Sequence, residues 1–236
     1  PGCVRVGNGG RWGNLMPEGL MAEELSSSTF FDPDTTRITA IRRGLRRLQT
    51  APRGITSLPF LSAAEIDLLV TDAQLASYRI ATPEIEHLGR RVHQDFDVCF
   101  PAPRTGAFAA LADCLETCLH SANAETDFLP QGIKLNDFAI QRYPAGSRGI
   151  GIHRDGRRYH GLVIIITLAD GSRLASCSDR AGRGKRRIDD RPGRIVLLTA
   201  TGFDGRDDES VRPLHTVDQV TEGRLSLGFR SEPQAT

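Results

Sequence analysis

Three side chains in this sequence carry metal-ligand chemistry at a spacing that could bring them together. His153 and Asp155 stand two apart in "GIHRDG", and His215 follows in "RPLHTV". An extended chain turns residues i and i+2 to the same face, so His153 and Asp155 can point together. Alone the pair is weak, because a surface pair has the same spelling. Two imidazoles and one carboxylate are nevertheless a donor set that suits non-haem Fe(II), with coordination positions left open. The segment "GRLSLGFR" supplies further chemistry. Arg224, Ser226, Gly228 and Arg230 alternate with Leu225, Leu227 and Phe229. An ordinary half-exposed strand has this pattern, with its arginines in water. The other reading turns the apolar face outward, under other elements, and lets the polar face line a cavity. Two arginines there call for an anion, and the planar guanidinium fork holds a carboxylate at two points.

The elements that must position these residues fall into two textures. In "TTRITAIRRGLRRLQ", Ile38, Ile41, Leu45 and Leu48 recur at helical spacing with arginines opposite. Ser62 with Glu65 spells a capping box and predicts a helix to about Ser77. "GAFAALADCLETCLHSA" predicts another helix, and "RRVHQDFDVCF" a strand. After residue 130, short strand-like pieces recur: "KLNDFAIQRY", "IGIH", "GLVIIITL", "SRLASCS", "RIVLLTA", "LHTVDQV" and "GRLSLGF". Glycine, proline and aspartate separate them. That succession predicts a sandwich or barrel with helices packed on it, an α+β chain. Residues 1–28 are glycine-rich and aperiodic and are expected to form a disordered leader, with a single domain over 29–236.

Composition narrows the class. The 236 residues are 39% hydrophobic and 25% charged, as in a soluble globular protein, and no apolar run reaches membrane-spanning length. A formal charge of +1 does not by itself imply a polyanionic partner. Five scattered cysteines predict a reduced, cytoplasmic protein. Cys114 and Cys118, four apart on one helix, are expected to pack in the core rather than hold zinc, since no second ligand pair accompanies them.

Taken in order, "QRYPAGSRGIGIHRDG", "RPLHTV" and "GRLSLGFR" resemble the Fe(II)/2-oxoglutarate-dependent oxygenases, and within them the AlkB-like branch. The branch is marked by His-x-Asp, a distal His, an Arg soon after, and a second Arg six residues on. Its Asn-x-Tyr is replaced here by Gln141-Arg142-Tyr143. The likeness extends over roughly residues 58–231, beginning at "LPFLSAAEIDLL". It implies a jelly-roll double-stranded β-helix core. It implies that His153, Asp155 and His215 bind Fe(II). Arg224 would meet the distal carboxylate of 2-oxoglutarate, with Tyr143 and Ser226 beside it. Arg230 and Gln141 would lie toward the end that chelates iron. The implied cosubstrates are 2-oxoglutarate and O2, which yield succinate and CO2. Asp155 favours hydroxylation, because halogenases of the family lack this carboxylate.

For the substrate, a small metabolite is preferred, hydroxylated or oxidatively N-demethylated. The first alternative is an AlkB-like nucleic-acid dealkylase. For it, aromatics are sparse at 6%, although the arginine-rich loop 180–187 could grip phosphates. The second is a non-catalytic interaction module on the same scaffold. Arg154 is expected to point away from the metal, and His160 to be a strand-start or loop residue rather than a ligand. Loops 156–161 and 170–190 and segment 91–105 are expected to shape the substrate pocket.

Overall fold

The structure, a computed structural model, describes residues 31–87 and 90–233. The expected leader over 1–28 lies outside the described residues. Among the described residues three α-helices come early: α1 (Thr35–Thr50), α2 (Ala63–Gln74) and α3 (Gly106–Thr126). Asp34 caps α1 by accepting the Arg37 backbone N–H at 2.7 Å. Ile41, Leu45 and Leu48 on its apolar stripe are fully buried. The capping box forms as predicted, with Glu65 Oε2 accepting the Ser62 N–H at 2.8 Å. The helix ends three residues before the expected Ser77. Tyr78 closes that end, its hydroxyl donating to the Ala73 carbonyl at 2.7 Å.

Strands β1 (Ile55–Pro59), β2 (Arg79–Ile80), β3 (Glu84–His87), β4 (Arg90–Asp95), β5 (Asp97–Cys99), β6 (Asp137–Tyr143) and β7 (Gly149–His153) precede the two that organise the fold. Those are β8 (Leu162–Ser176) and β11 (His215–Arg230), with β9 (Arg186–Arg187) and β10 (Arg194–Thr199) between them. The chain therefore differs from the expected run of separate pieces. "GLVIIITL" and "SRLASCS" are one strand, and "LHTVDQV" and "GRLSLGF" are another. The intervening "DGS" and "TEG" spell turns, yet they fold as bulges. Pairing between β8 and β11 continues past them, with a register shift between Asp218 and Gly223. Gly171 is required at this bend, since a β-carbon there would lie 2.6 Å from the Glu222 Cβ. The expected strand "RRVHQDFDVCF" is likewise two strands, β4 and β5, broken at Phe96.

Because β8 and β11 bend, each serves two sheets. One half of each completes a major sheet in the order β1-β10-β8-β11-β6-β5-β2. The other half joins β9, β7, β4 and β3 in a minor sheet. This is the jelly-roll, double-stranded β-helix arrangement in an α+β chain. The helices cover the outer face of the major sheet. There Ile164, Ile166, Ile195, Leu197, Leu227 and Phe229 pack with the helical stripes. Phe138 stacks on Phe229 at 4.4 Å and meets Phe108 of α3 at 5.2 Å. The alternate residues Val163, Val196 and Leu198 face the interior between the sheets, with Tyr143, Ile150, Leu174 and Val217. Cys114 and Cys118 are buried in the helix-side core, as expected. Among the described residues, no helix is long and apolar enough to cross a membrane.

Candidate active site

Burying Leu227 and Phe229 under the helices decides which way β11 presents its polar residues. Each of these apolar side chains contributes about 2 kcal/mol by leaving water. Period-2 alternation then forces Arg224, Ser226 and Arg230 into the interior. Arg224 is 3% and Ser226 2% exposed, so the arginines do not face water.

The other end of β11 carries His215, whose direct cross-strand partner is His153 at the end of β7. Their ring centroids are 4.3 Å apart. His153 Nδ1 contacts the Gly151 carbonyl at 2.9 Å, and His215 Nδ1 contacts the Pro213 carbonyl at 3.2 Å. A carbonyl can only accept, so each Nδ1 carries the proton and each Nε2 keeps its lone pair. Asp155 lies just beyond the end of β7, so strand alternation alone does not place it. Two arginines hold it. Arg230 Nε donates to Asp155 Oδ1 at 3.1 Å, and Arg212 Nη1 donates to the Asp155 main-chain carbonyl at 2.8 Å. Asp155 Oδ2 lies 3.4 Å from His215 Nε2. One ligand atom from each of His153, Asp155 and His215 falls within 4.8 Å of the others.

Electrostatics favour the ligating forms of two of these groups. Burial, together with the neighbouring His215, pushes the His153 pKa down to about 4. Burial raises the Asp155 pKa, but Arg230 and the two imidazoles outweigh it and hold the carboxyl at about 2. At neutral pH the site presents a neutral His153 imidazole and a carboxylate.

A narrow pocket runs from this triad between the sheets to Arg224, past Tyr143, Leu174 and Ser226. At its far end Arg224 Nη1 donates to Asp190 Oδ2 at 2.6 Å and to Ser172 Oγ at 3.1 Å. Its Nη2 donates to Thr167 Oγ1 at 2.7 Å. Arg224 Nε and Asp190 Oδ1 are buried with no hydrogen-bond partner among the described residues. A donor left unpaired at the end of a pocket that starts at a metal-ligand triad suits an anionic guest. The donor set and this orphaned nitrogen therefore fit Fe(II) and a dicarboxylate. Tyr143 pairs directly with Arg224 across β6 and β11, and its hydroxyl donates to Gln141 Oε1 at 3.4 Å. Gln141 lines both this pocket and the mouth above it.

The mouth is a cavity of about 520 Å³ that opens over His153 and Asp155. Segment 91–105 contributes Val92, Phe96 and Phe100 to its wall; loop 156–161 contributes Tyr159, and segment 170–190 contributes Arg180. The stretch from Arg79 to Glu86 also lines it, which the sequence did not reveal. His160 is outside the triad and makes an isolated bridge to Thr201. Arg154, expected to point away from the metal, is outside the ligand group and lines the mouth. Its Nε donates to the Glu209 and Arg212 carbonyls, and these bonds hold the side chain along the cavity wall. Sequence reading also missed Asp190, Thr167 and Arg212. Asp190 sits in "DDRPG", which spells a turn, and nothing in that spelling marks a buried counterion.

No protein-family model matches the sequence, and no curated protein matches it significantly. Solved structures do match it. A prolyl hydroxylase from Trichoplax adhaerens, in complex with a hypoxia-inducible-factor peptide, has a TM-score of 0.59 at 14% identity, over 84% of this chain and 93% of that one. A Pseudomonas putida prolyl-4-hydroxylase gives 0.56 at 17% identity, over 82% of this chain and 100% of that one. HygX from Streptomyces hygroscopicus, with nickel, 2-oxoglutarate and hygromycin B bound, gives 0.55 at 14% identity, over 82% and 87%. The chain thus has the jelly-roll fold found in 2-oxoglutarate–Fe(II) oxygenases.

Proposed function

We propose that this chain is an Fe(II)- and 2-oxoglutarate-dependent dioxygenase that hydroxylates, or oxidatively N-demethylates, a small organic molecule. The observation that carries the reading is one pocket with the His153, Asp155 and His215 ligand atoms at one end and the orphaned Arg224 donor at the other. Iron with 2-oxoglutarate and O2 would supply the oxidising chemistry. The protein's own residues do the positioning. The Gly151 and Pro213 carbonyls fix the imidazole tautomers. Arg230 orients Asp155 and compensates its charge. Arg224, with Tyr143 and Ser226 nearby, receives the distal carboxylate of 2-oxoglutarate.

Placement in the AlkB-like branch draws on the Arg224 and Arg230 spacing and on Arg230 reaching the metal-ligand end. Nucleic acid is the weaker substrate reading. Within the arginine-rich loop, Arg183 is engaged by Asp179, Lys185 by Asp218 and Arg187 by Asp170, which lowers the field available to phosphates. Four cysteines, Cys99, Cys114, Cys118 and Cys177, are free thiols, which supports a cytoplasmic location.

Anaerobic titration with Fe(II) and 2-oxoglutarate tests the assignment. A visible charge-transfer band is expected, followed by succinate release on admitting O2. Asp155→Ala should lose both while keeping the wild-type circular dichroism spectrum. Folded wild-type protein without the band would favour a non-catalytic module, and succinate release by Asp155→Ala would refute the role given to Asp155.

A further inference from the structure

Arg230 serves two carboxylates. Its Nε donates to Asp155 Oδ1 at 3.1 Å, and its Nη1 donates to Asp137 Oδ1 at 3.4 Å. Asp137 opens β6 and is the direct cross-strand partner of Arg230. Phe138 and Phe229 stack on the helix side of this sheet, so alternation turns their neighbours Asp137 and Arg230 inward. Their side chains are 6% and 15% exposed. A β-carbon at Gly228 would stand 3.1 Å from Arg230 Nη1, so the guanidinium lies back over Gly228 along its own strand.

The other oxygen of Asp137 is occupied too. Asp137 Oδ2 accepts the Tyr159 hydroxyl at 3.1 Å and lies 3.5 Å from Arg158 Nη2. The Tyr159 ring meets both cations, with the Arg230 guanidinium carbon 5.4 Å and the Arg158 one 4.6 Å from its centroid. Loop 156–161 thus ties down one oxygen of Asp137 while the other holds Arg230. Asp155 needs a fixed arginine, because it lies beyond the end of β7, where no strand pairing sets its side chain. A ligating carboxylate is aimed by the hydrogen bond on its other oxygen, and a long arginine can aim it only if the arginine is itself held. A buried guanidinium also needs a full counter-charge. Asp137 keeps its whole charge on Arg230 even where Asp155 shares its own with a metal ion.

We propose that Asp137 is a positioning residue for the metal-ligand group. It fixes Arg230, and through Arg230 it fixes Asp155 with Oδ2 turned toward His215. Its effect on metal binding rests on reading the triad as the iron site. Its hold on Arg230 does not.

Two measurements on the full chain test these parts separately. Urea midpoints of the metal-free wild type, Asp137→Asn, Asp155→Asn and the double variant read the sharing of Arg230. Either single variant leaves Arg230 one carboxylate and the double variant leaves it none, so the double should lose more than the sum of the singles. Strict additivity would overturn the proposal. Titration with Mn(II) in the presence of 2-oxoglutarate, followed by the paramagnetic resonance signal of the free ion, reads the site. Asp137→Asn should bind Mn(II) about tenfold more weakly, as loss of a group behind a ligand does. Tyr159→Phe, which frees one Asp137 oxygen but keeps the ring beside Arg230, should weaken binding less. Glu116→Gln, which removes a buried carboxylate from α3, should leave it unchanged. Wild-type Mn(II) affinity in Asp137→Asn would overturn the proposal, as would an equal loss in Glu116→Gln or a larger one in Tyr159→Phe. A wild-type chain that takes up no Mn(II) would remove the iron reading. A more-than-additive loss in the double variant would then leave Asp137 standing as the hold on Arg230.

Discussion

Arg224 and Asp190 form an ion pair in which both side chains are 1% exposed, with Nη1 2.6 Å from Oδ2. Thirty-four residues separate them in sequence, and they meet where the turn after β9 folds back over the bent strand β8. The pair explains how an arginine can be carried deep between two sheets before any ligand arrives. Asp190 and Thr167 hold the guanidinium, and Thr167 also donates to Asp190 Oδ2 at 2.9 Å.

Removing that counterion strands a buried charge. Asp190→Asn is expected to destabilise the ligand-free protein by about 3 kcal/mol, as breaking one side of a buried pair does. Adding Arg224→Gln should recover part of this loss, because the stranded charge is then gone. Urea midpoints of the two single variants and the double variant measure the coupling. Strict additivity would mean that Asp190 does not act through Arg224.

Acid should reveal a second buried carboxylate. Glu116 of α3 accepts the Leu135 N–H at 2.8 Å, Arg104 Nη1 at 2.9 Å and Lys134 Nζ at 3.1 Å. Burial raises its pKa, but these donors outweigh burial and leave it below the ordinary glutamate value. A depressed pKa means that the contribution is complete above the unfolded value of about 4.3 and is lost as pH falls through the folded one. Glu116→Gln should therefore cost about 2 kcal/mol at pH 7, and the gap to wild type should close in acid. Paired denaturation curves at pH 7 and pH 3 check the sign. A gap that widens in acid would contradict it.

Gly149 opens the strand that carries His153, with φ of 77°. A methyl group there would run into the Val217 carbonyl oxygen on β11. Gly149→Ala combines that collision with left-handed backbone and is expected to cost about 3 kcal/mol. It should also weaken Fe(II) binding, since β7 and β11 set the distance between His153 and His215. A thermal melt and a metal titration on the same variant read both effects. Wild-type metal affinity in a destabilised variant would detach the strand register from the site.

The three candidate ligand residues that the fold brings together could be singled out in the sequence. Their types and order are local, and the alternation of "GRLSLGFR" posed a choice between two facings of one strand. The helices over 35–50 and 63–74 were legible too, because capping and periodicity are short-range. Tertiary structure decided which face of β11 went inward. Phe229 and Leu227 are buried only because three helices cover that side of the sheet, and no local pattern states what will cover a strand. It also decided that "DGS" and "TEG" are bulges within continuous strands. A turn and a bulge use the same residues, and only the neighbouring strand settles which one forms. The counterion Asp190 and the brace Arg212 were invisible for the same reason. Buried charges are paired by proximity in space, and proximity between residues 34 or 57 positions apart is a product of the fold.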